Sequence, residues 1–291
     1  MIAVIAHDAG GAEILSSYVL RNSLNCNYVL EGPARKIFER KLGSINIVSL
    51  DEAIKRSEWV LCGSSLPSSH ELNAIKEARF HGKRSVVFLD HWINYSERFT
   101  RDNIKVLPDE IWVGDIMAER IAQKAFHNID IFLKENPYFK DIQQKLDGLL
   151  VVEKNKNSLL FVSQPIRKHS SHFSNKSLDR GYTEEDALRY LLGNIDALDK
   201  QIDQIMIRLH PTESFDKYDW VKDEFNLPII IDMEIDLLEA ITKENVVVGM
   251  DSMAMVIGLL AKKKVICCIP PSGKACRLPH SDIIMLETLC N

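Results

Sequence analysis

The sequence lacks long apolar runs and cysteine motifs, and each absence excludes a class of protein. No stretch reaches the roughly 18 apolar residues of a membrane-spanning helix. Residues 2–6 are apolar, but no basic segment precedes them, so we interpret them as a buried strand rather than a signal peptide. The six cysteines form no C-x-x-C pair and no zinc spacing, which indicates reduced thiols and a soluble, cytoplasmic protein.

Charge and missing motifs exclude further classes. A net charge of −5 without a basic patch predicts no nucleic-acid partner. The sequence has neither the G-x-G-x-x-G dinucleotide fingerprint nor the G-x-x-x-x-G-K-[ST] phosphate loop. Without a G-x-S-x-G elbow a Ser-His-Asp hydrolase is disfavoured, and no histidine pair has the acidic partners of a metal site. We therefore expect no cofactor and no metal.

What the sequence does contain is a regular alternation of short apolar runs and amphipathic helical patterns. In the first half, strands are predicted at residues 2–6, 28–30, 45–48, 59–62, 85–89 and 110–113. In the second half, strands are predicted at residues 159–162, 204–209, 228–231, 245–248 and 265–269. This rhythm is typical of β-α-β units and indicates an α/β fold with mostly parallel sheets.

A chain of 291 residues has room for two domains of ordinary size. A polar stretch near residue 150 separates the two runs of strands, so we predict an N-terminal domain over residues 1–150 and a C-terminal domain over residues 151–291. Residues 281–289 have an amphipathic pattern that predicts a final short helix. This helix is expected to pack back on the first domain.

The most informative motif follows the predicted strand at residues 204–209. Arg208 and His210 share one face by strand alternation, and Pro211 favours extended geometry at His210, which places the histidine at the strand's end. Ligands of open α/β sheets bind beyond the carboxyl ends of the strands, and imidazole can donate to a phosphate oxygen. We predict that Arg208, His210 and Pro211 contact a phosphate. The alternative is an edge histidine bonded to backbone.

A second candidate site lies where the predicted strand at residues 245–248 leads into a helix. Asp251, Ser252 and Met253 open that helix, whose free N–H groups and positive dipole end favour an anion. The Ser252 hydroxyl adds a donor. The alternative is plain capping of the helix by Asp251 or Ser252, and both roles are compatible.

The first strand is followed by Asp8, Gly10 and Gly11 at the start of a helix. Paired glycines allow a backbone to approach a ligand closely, and a carboxylate at this strand end suits a general base that deprotonates an acceptor hydroxyl. Asp8 is therefore the candidate base, with Gly10 and Gly11 as ligand contacts. The alternative for Asp8 is an N-cap.

Two further strands of the first half also end in polar or aromatic residues. Ser64 follows the strand at residues 59–62, while His91 and Trp92 follow the strand at residues 85–89. Trp92 or Tyr95 is suited to stacking on a sugar or base ring. The alternative is an aromatic anchor under a loop.

Together, His210-Pro211 at a strand end and Ser252 at a later helix start resemble the GT-B nucleotide-sugar glycosyltransferases. The nearest group is the bacterial sialyltransferases and Kdo-transferases, which use CMP-activated sugars. The resemblance implies two Rossmann-like domains facing across a cleft. It also implies a nucleotide phosphate held by His210 and Ser252, and a general base in an acidic motif of the first domain, where Asp8 is the nearest match.

The function that the resemblance implies is metal-independent transfer of a sugar, from a CMP-sugar by preference, to a surface-glycan acceptor. His210 would stabilise the departing nucleotide phosphate. Two alternatives stay open: a UDP-sugar epimerase or hydrolase of the same architecture, and a non-catalytic nucleotide-sugar-binding protein. Peripheral association with the inner membrane surface is compatible with these partners, and the sequence does not define the oligomeric state.

Overall fold

The computed structural model describes residues 1–149, 157–167, 180–198 and 201–290. The chain divides into two compact units, unit 1 (Met1–Asp141) and unit 2 (Ile142–Asn291). The domain boundary predicted between residues 150 and 151 lies outside the described residues.

Unit 1 alternates strands and helices around one sheet. Its elements are β1 (Ile2–Ala6), α1 (Ala9–Arg21), β2 (Cys26–Leu30), α2 (Ala34–Leu42), α3 (Leu50–Lys55), β3 (Trp59–Cys62), α4 (His70–Phe80), β4 (Arg84–Leu89), α5 (Tyr95–Arg98), β5 (Thr100–Arg101), β6 (Ile104–Lys105), β7 (Glu110–Val113), α6 (Ile116–Ala125), β8 (Asp130–Leu133) and α7 (Pro137–Gly148), which crosses into unit 2. The sheet is parallel, with strand order β2-β1-β3-β4-β7-β8.

Unit 2 repeats this plan. Its elements are β9 (Ser158–Val162), α8 (Glu184–Gly193), β10 (Gln204–Arg208), α9 (Val221–Glu224), β11 (Ile229–Asp232), α10 (Leu237–Lys243), β12 (Val246–Gly249), α11 (Met253–Leu260), β13 (Lys264–Cys267) and β14 (Ile283–Met285). Its parallel strands follow the order β11-β10-β9-β12-β13-β14, which is the order of a doubly wound dinucleotide-binding sheet.

Each sheet has a switch point, where the strand order reverses and where ligands of such sheets bind. In unit 1 it lies between β1 and β3, and in unit 2 between β9 and β12. The central strands β1 and β9 are buried at every residue, as expected for parallel strands covered on both faces. Their carboxyl ends therefore carry the first polar residues of each unit that a ligand can reach.

Two predicted elements differ from the structure. The strand predicted at residues 45–48 is reduced to a single parallel bridge between Ile47 and Tyr28, because Ser49 already caps α3 by accepting from the Glu52 N–H. The helix predicted at residues 281–289 is wrong. Its residues Ile283 and Ile284 pair with β13 as strand β14, and a 3-10 turn follows over Leu286–Leu289.

The error at the C-terminal end has a physical reason. β-branched isoleucines favour strands, and an open edge of the unit 2 sheet accepts them in parallel pairing. Leu286 then packs into the buried core of unit 2, where Phe161 and Val248 also lie. Within the described ranges, no helix has the length and apolar character needed to cross a membrane.

Candidate functional site

The carboxyl end of β1 carries a histidine and a carboxylate that are hydrogen-bonded to each other. His7 Nδ1 lies 2.7 Å from Asp8 Oδ1, and the Ser65 hydroxyl donates to the same oxygen at 2.9 Å. Asp8 occupies the N-cap position of α1, but its side chain caps no backbone N–H. The side chains of His7 and Asp8 are 25% and 26% exposed, so both reach solvent at the unit 1 switch point.

A third titratable group lies beneath this pair. Glu71, in the first turn of α4, accepts the backbone N–H of His7 at 2.8 Å through Oε1. Its Oε2 is buried and has no hydrogen-bond partner among the described residues. Burial raises the pKa of the Glu71 carboxyl to about 7, because desolvation disfavours the charged form. The strand end thus holds a carboxyl group that titrates near neutrality.

Gly10 and Gly11 allow close packing between α1 and neighbouring strand ends. A Cβ on Gly10 would lie 1.9 Å from Asp90 Oδ2, and a Cβ on Gly11 would lie 3.2 Å from Gly63 Cα. These contacts account for both glycines without a ligand. Their predicted role in substrate binding stays a prediction.

Ser64 and Asp90 form a buried polar cluster with Arg98 at the ends of β3 and β4. Arg98 Nη1 donates to Asp90 Oδ1 at 3.0 Å and to Ser64 Oγ at 2.8 Å, and Ser64 Oγ donates to the same Asp90 oxygen at 3.2 Å. Ser64 is buried. Its hydroxyl therefore hydrogen-bonds with Asp90 and Arg98 in the structure, and ligand binding by Ser64 stays a prediction.

Trp92 lies inside unit 1. Its indole N–H donates to Asp115 Oδ2 at 2.8 Å, and its ring stacks on Phe139 with centroids 6.4 Å apart. His91 is partly buried and accepts the Trp92 backbone N–H through Nδ1 at 3.0 Å. With Trp92 only 5% exposed, this placement corresponds to the aromatic-anchor alternative. Tyr95 is buried as well, and stacking of either ring on a ligand stays a prediction.

In unit 2, His210 stands just beyond β10, as its position before a proline predicts. Glu213 Oε2 accepts the His210 backbone N–H at 2.8 Å. The Thr212 backbone N–H donates to His210 Nδ1 at 3.2 Å. Because Nδ1 acts as an acceptor there, the neutral ring carries its proton on Nε2. His210 therefore presents an N–H donor at the edge of the sheet.

Glu213 connects the turn at His210 to the switch point of unit 2 through hydrogen bonds. Its Oε1 accepts from Ser163 Oγ at 2.9 Å and from Lys217 Nζ at 2.7 Å. Ser163 follows β9 directly, and the buried Tyr218 hydroxyl lies 2.7 Å from Ser163 Oγ. Since the single Ser163 proton goes to Glu213, Tyr218 donates to Ser163. The position of His210 thus depends on residues at the end of the central strand.

Arg208 and Pro211 differ from His210 in their surroundings. The Arg208 guanidinium lies 3.6 Å from Asp232 Oδ1 and donates to the carbonyl oxygen of Ile235, beyond β11. Pro211 is exposed and follows His210 in the turn. Arg208 is thus bound to the neighbouring strand end, and a phosphate contact by Arg208 or Pro211 stays a prediction.

The start of α11 carries the hydroxyl of Ser252, which is buried. Ser252 is the N-cap of α11 and Met253 its first residue, but Ser252 makes no capping hydrogen bond. The Ser252 Oγ is buried and has no hydrogen-bond partner in the described part of the chain. Side-chain capping of α11 therefore does not explain this serine.

Asp251 precedes this cap and is buried between two arginines. Arg180 Nη2 donates to Asp251 Oδ2 at 2.6 Å, and Arg277 Nε donates to the same oxygen at 2.8 Å. Asp251 is therefore committed to holding two guanidinium groups beside the helix start. A carboxylate so placed does not suit direct contact with an anionic ligand.

The two switch points thus differ in chemistry. Carboxyl groups of Asp8, Glu71 and Asp90 surround the start of α1 in unit 1. In unit 2 the start of α11 has the Ser252 hydroxyl, and the preceding Asp251 pairs with two guanidinium groups. Acid–base chemistry suits the first arrangement, and anion binding suits the second.

One group of described residues has metal-ligand spacing. Ligand atoms of Asp51, Glu77 and His81 lie within 4.8 Å of one another. Asp51 already pairs with Lys55 at 2.7 Å. Glu77 and His81 stand at the end of α4, which runs back to the amino edge of the sheet, so this group is not part of either switch point.

Sequence reasoning gave no role to several residues that complete the sites: His7, Ser65, Glu71, Asp90, Arg180 and Arg277. His7, Ser65 and Asp90 stand at ends of predicted strands, so the strand-end rule that selected their neighbours applies to them as well. Arg180 and Arg277 stand in aperiodic stretches that carry no local signal.

No protein-family model and no curated protein sequence matches this chain. Solved structures do match its fold. A UDP-GlcNAc 2-epimerase from Methanocaldococcus jannaschii has a TM-score of 0.58 at 11% identity, covering 91% of this chain and 83% of that one. The glycotransferase of kitacinnamycin has a TM-score of 0.54 at 14% identity, covering 96% and 81%.

MurG from Acinetobacter baumannii has a TM-score of 0.54 at 9% identity, covering 93% of this chain and 79% of that one. At such identities the likeness concerns the fold. The chain has a GT-B-like fold of two Rossmann-like units, and the predicted fold class is confirmed. The predicted cleft between the units stays a prediction.

Proposed function

We propose that this protein is a metal-independent glycosyltransferase that uses a nucleotide sugar. Unit 2 would hold the nucleotide phosphate between His210 and the start of α11. Unit 1 would supply the base that deprotonates the acceptor hydroxyl. The glycosyl bond to phosphate breaks, the acceptor oxygen bonds to the sugar, and the acceptor proton passes to unit 1.

The observation that carries the proposal is the Ser252 hydroxyl. It is buried at the N-terminus of α11 and makes no capping bond, whereas N-cap serines ordinarily accept from their own helix. The free N–H groups of the first turn and the positive end of the helix dipole favour a phosphate there. A phosphate oxygen would accept from Ser252 as well.

His210 extends this proposed phosphate site. Its Nε2 carries the proton of the neutral ring, because Nδ1 accepts from the Thr212 N–H. A donor placed where negative charge develops on the leaving phosphate lowers the barrier to transfer.

In unit 1, the hydrogen bond between His7 and Asp8 assigns the two residues different parts in proton removal. A carboxylate at Asp8 Oδ1 accepts from Nδ1–H, so the neutral His7 ring would present Nε2 to the acceptor hydroxyl. Asp8 then orients the ring and stabilises its charged form. The predicted role of Asp8 becomes that of one member of a His7–Asp8 dyad.

The proposal is tested first by nucleotide binding in calorimetry. The natural protein should bind nucleotides, and His210→Gln should weaken binding about tenfold, which corresponds to loss of a charge-assisted hydrogen bond. His127→Gln, at an exposed histidine in unit 1, is the matched control. If His210→Gln binds as tightly as the natural protein, the phosphate assignment is wrong.

The reaction is tested by incubation with CMP-sugars and UDP-sugars. Transfer requires a hydroxyl acceptor such as a surface glycan, and products are identified by mass spectrometry. The resemblance to families that use CMP-activated sugars favours CMP-sugars, and the comparison of CMP-sugars with UDP-sugars tests which nucleotide is used. Cytoplasmic location and peripheral association with the inner membrane surface stay predictions as well.

A second candidate function is epimerisation or hydrolysis of a UDP-sugar. The observation that favours it is the pair Asp8 and Glu71 on either side of His7, with burial raising the Glu71 pKa to about 7. Two carboxyl groups in such different environments are typical of acid–base pairs. Formation of an epimer or of free sugar without an acceptor would select this function. Binding without any turnover would indicate a nucleotide-sugar-binding protein.

A further inference from the structure

The strongest charge cluster that the proposed mechanism leaves unused is that of Arg180, Asp251 and Arg277. All three belong to unit 2, and one carboxylate oxygen, Asp251 Oδ2, accepts from both arginines at 2.6 and 2.8 Å. Two guanidinium groups and one carboxylate leave one net positive charge. Asp251, which pairs with both arginines, directly precedes Ser252, the N-cap of α11.

The burial of the three side chains shows where that charge resides. Arg180 and Asp251 are 7% and 1% exposed, so they form a buried ion pair. Arg277 is 31% exposed on the other side of the same carboxylate. The opposite charges of Arg180 and Asp251 cancel. The net positive charge of the cluster therefore belongs to Arg277, whose side chain is accessible to solvent and ligands.

Two buried polar atoms, Arg180 Nε and Ser252 Oγ, have no hydrogen-bond partner among the described residues. The Arg180 guanidinium also lies over the Tyr182 ring, 5.8 Å from its centroid. Buried polar groups in native structures are nearly always satisfied, so the unpartnered Ser252 hydroxyl at the start of α11 points to an acceptor that binds there.

We propose that Arg277 binds a second anionic group of the nucleotide sugar, beyond the phosphate held by Ser252 and α11. Arg180 and Asp251 are positioning residues, because the pair fixes the Arg277 guanidinium through Asp251 Oδ2. The second anionic group is either the distal phosphate of a nucleoside diphosphate or a carboxylate on the sugar. This inference rests on the proposed function.

Calorimetry with paired ligands tests the proposal and distinguishes the two sources. Tighter binding of CDP than CMP, or of UDP than UMP, would indicate a contact with the distal phosphate. Tighter binding of CMP-N-acetylneuraminic acid than CMP would indicate a contact with the sugar carboxylate. The natural protein should bind one member of at least one pair about tenfold more tightly than its partner. Arg277→Gln should bring that ratio close to one while leaving the CMP or UMP affinity within about twofold.

Two further variants serve as controls for this experiment. Lys274→Gln removes an exposed positive charge three residues away and should keep the ratio of the natural protein, which separates a specific contact from general electrostatics. Arg277→Lys keeps the charge and should retain part of the ratio, which covers the case that Arg277→Gln fails to fold.

The outcomes separate the two proposals. If CMP or UMP binds but Arg277→Gln leaves every ratio unchanged, or if the natural protein shows no preference in any pair, the Arg277 proposal is wrong and the phosphate site survives. If the natural protein binds none of these nucleotides, the proposed function fails and the Arg277 proposal fails with it.

Discussion

His7 Nδ1 and Asp8 Oδ1 lie 2.7 Å apart at the carboxyl end of β1, although the two residues are neighbours in sequence. This contact needs the turn between β1 and α1, because side chains of adjacent residues in a strand point to opposite faces. Asp8 has extended backbone geometry at the N-cap of α1, and its carboxylate turns to the imidazole instead of the helix. The pair is therefore a feature of this turn.

The first prediction concerns Asp8→Asn. An asparagine amide can donate to His7 Nδ1, so the ring proton would move to Nε2. A base must accept the acceptor proton at Nε2, and a protonated Nε2 cannot do so. We expect turnover to fall about 10²- to 10⁴-fold, the usual contribution of general base catalysis, with nucleotide affinity unchanged. Ring ¹⁵N chemical shifts of His7 should report the change of tautomer.

Ser65→Ala is the matched control for Asp8→Asn. It removes the 2.9 Å hydrogen bond to Asp8 Oδ1 but leaves the carboxylate, so the tautomer of His7 should not change and turnover should fall far less. Full turnover in Asp8→Asn would mean that the base lies elsewhere.

The second prediction compares two N-caps in unit 2. Thr183 accepts from the Asp186 N–H in a capping box at α8, so Thr183→Ala should lower the free energy of unfolding by about 1 kcal/mol. Ser252→Ala should lower it by less, because Ser252 makes no capping bond. Urea unfolding measures both variants.

Nucleotide affinity should show the opposite order. Ser252→Ala removes a donor from the proposed phosphate site and should weaken binding about fivefold to tenfold, whereas Thr183→Ala should bind normally. A large loss of stability with unchanged affinity in Ser252→Ala would make Ser252 a structural cap.

The sequence was sufficient for the parts of each site that depend on local pattern. Apolar runs that end in Asp8, Ser64 and His210 were located because a strand end and its first polar residue are neighbours in sequence. The Ser252 helix start followed from the same rule. What could be predicted was therefore which residues stand at strand ends.

The side chains that contact these residues could not be predicted, because those contacts depend on the order of the strands in the sheet. Glu71 lies 64 residues from His7, and Arg180 lies 71 residues from Asp251. Strand order brings them together, and no local pattern encodes strand order. Trp92 shows the same limit, because an aromatic residue after a strand can equally face a ligand or pack inside, and here it packs on Phe139.

The third prediction concerns Glu71 and pH. Burial raises the folded-state pKa of Glu71 from the ordinary 4.5 to about 7, so the folded protein binds more protons than the unfolded chain between these values. Stability from this group is fully present below pH 4.5 and is lost as pH rises through 7. Between pH 5 and pH 8 the free energy of unfolding should fall by about 2 kcal/mol.

Glu71→Gln should remove most of this decline, because an amide does not ionise and can still accept the His7 N–H. The exposed Glu39→Gln, on α2, is the matched control and should decline like the natural protein. Unfolding curves at pH 5, 6.5 and 8 measure the difference. Parallel declines in Glu71→Gln and the natural protein would show that Glu71 is ionised in both states.

The last prediction uses two glycines of similar backbone geometry. Gly32 and Gly82 have φ of +52° and +63°, so alanine at either position costs about 1–2 kcal/mol in a left-handed conformation. A Cβ on Gly32 would lie 2.9 Å from His7 Nε2, whereas a Cβ on Gly82 meets nothing within 4 Å. Gly32→Ala should therefore abolish most turnover by covering the proposed base nitrogen, while Gly82→Ala loses comparable stability and keeps its activity. Thermal unfolding and turnover measured on both variants make the comparison, and equal turnover in the two would mean that His7 Nε2 takes no part in the reaction.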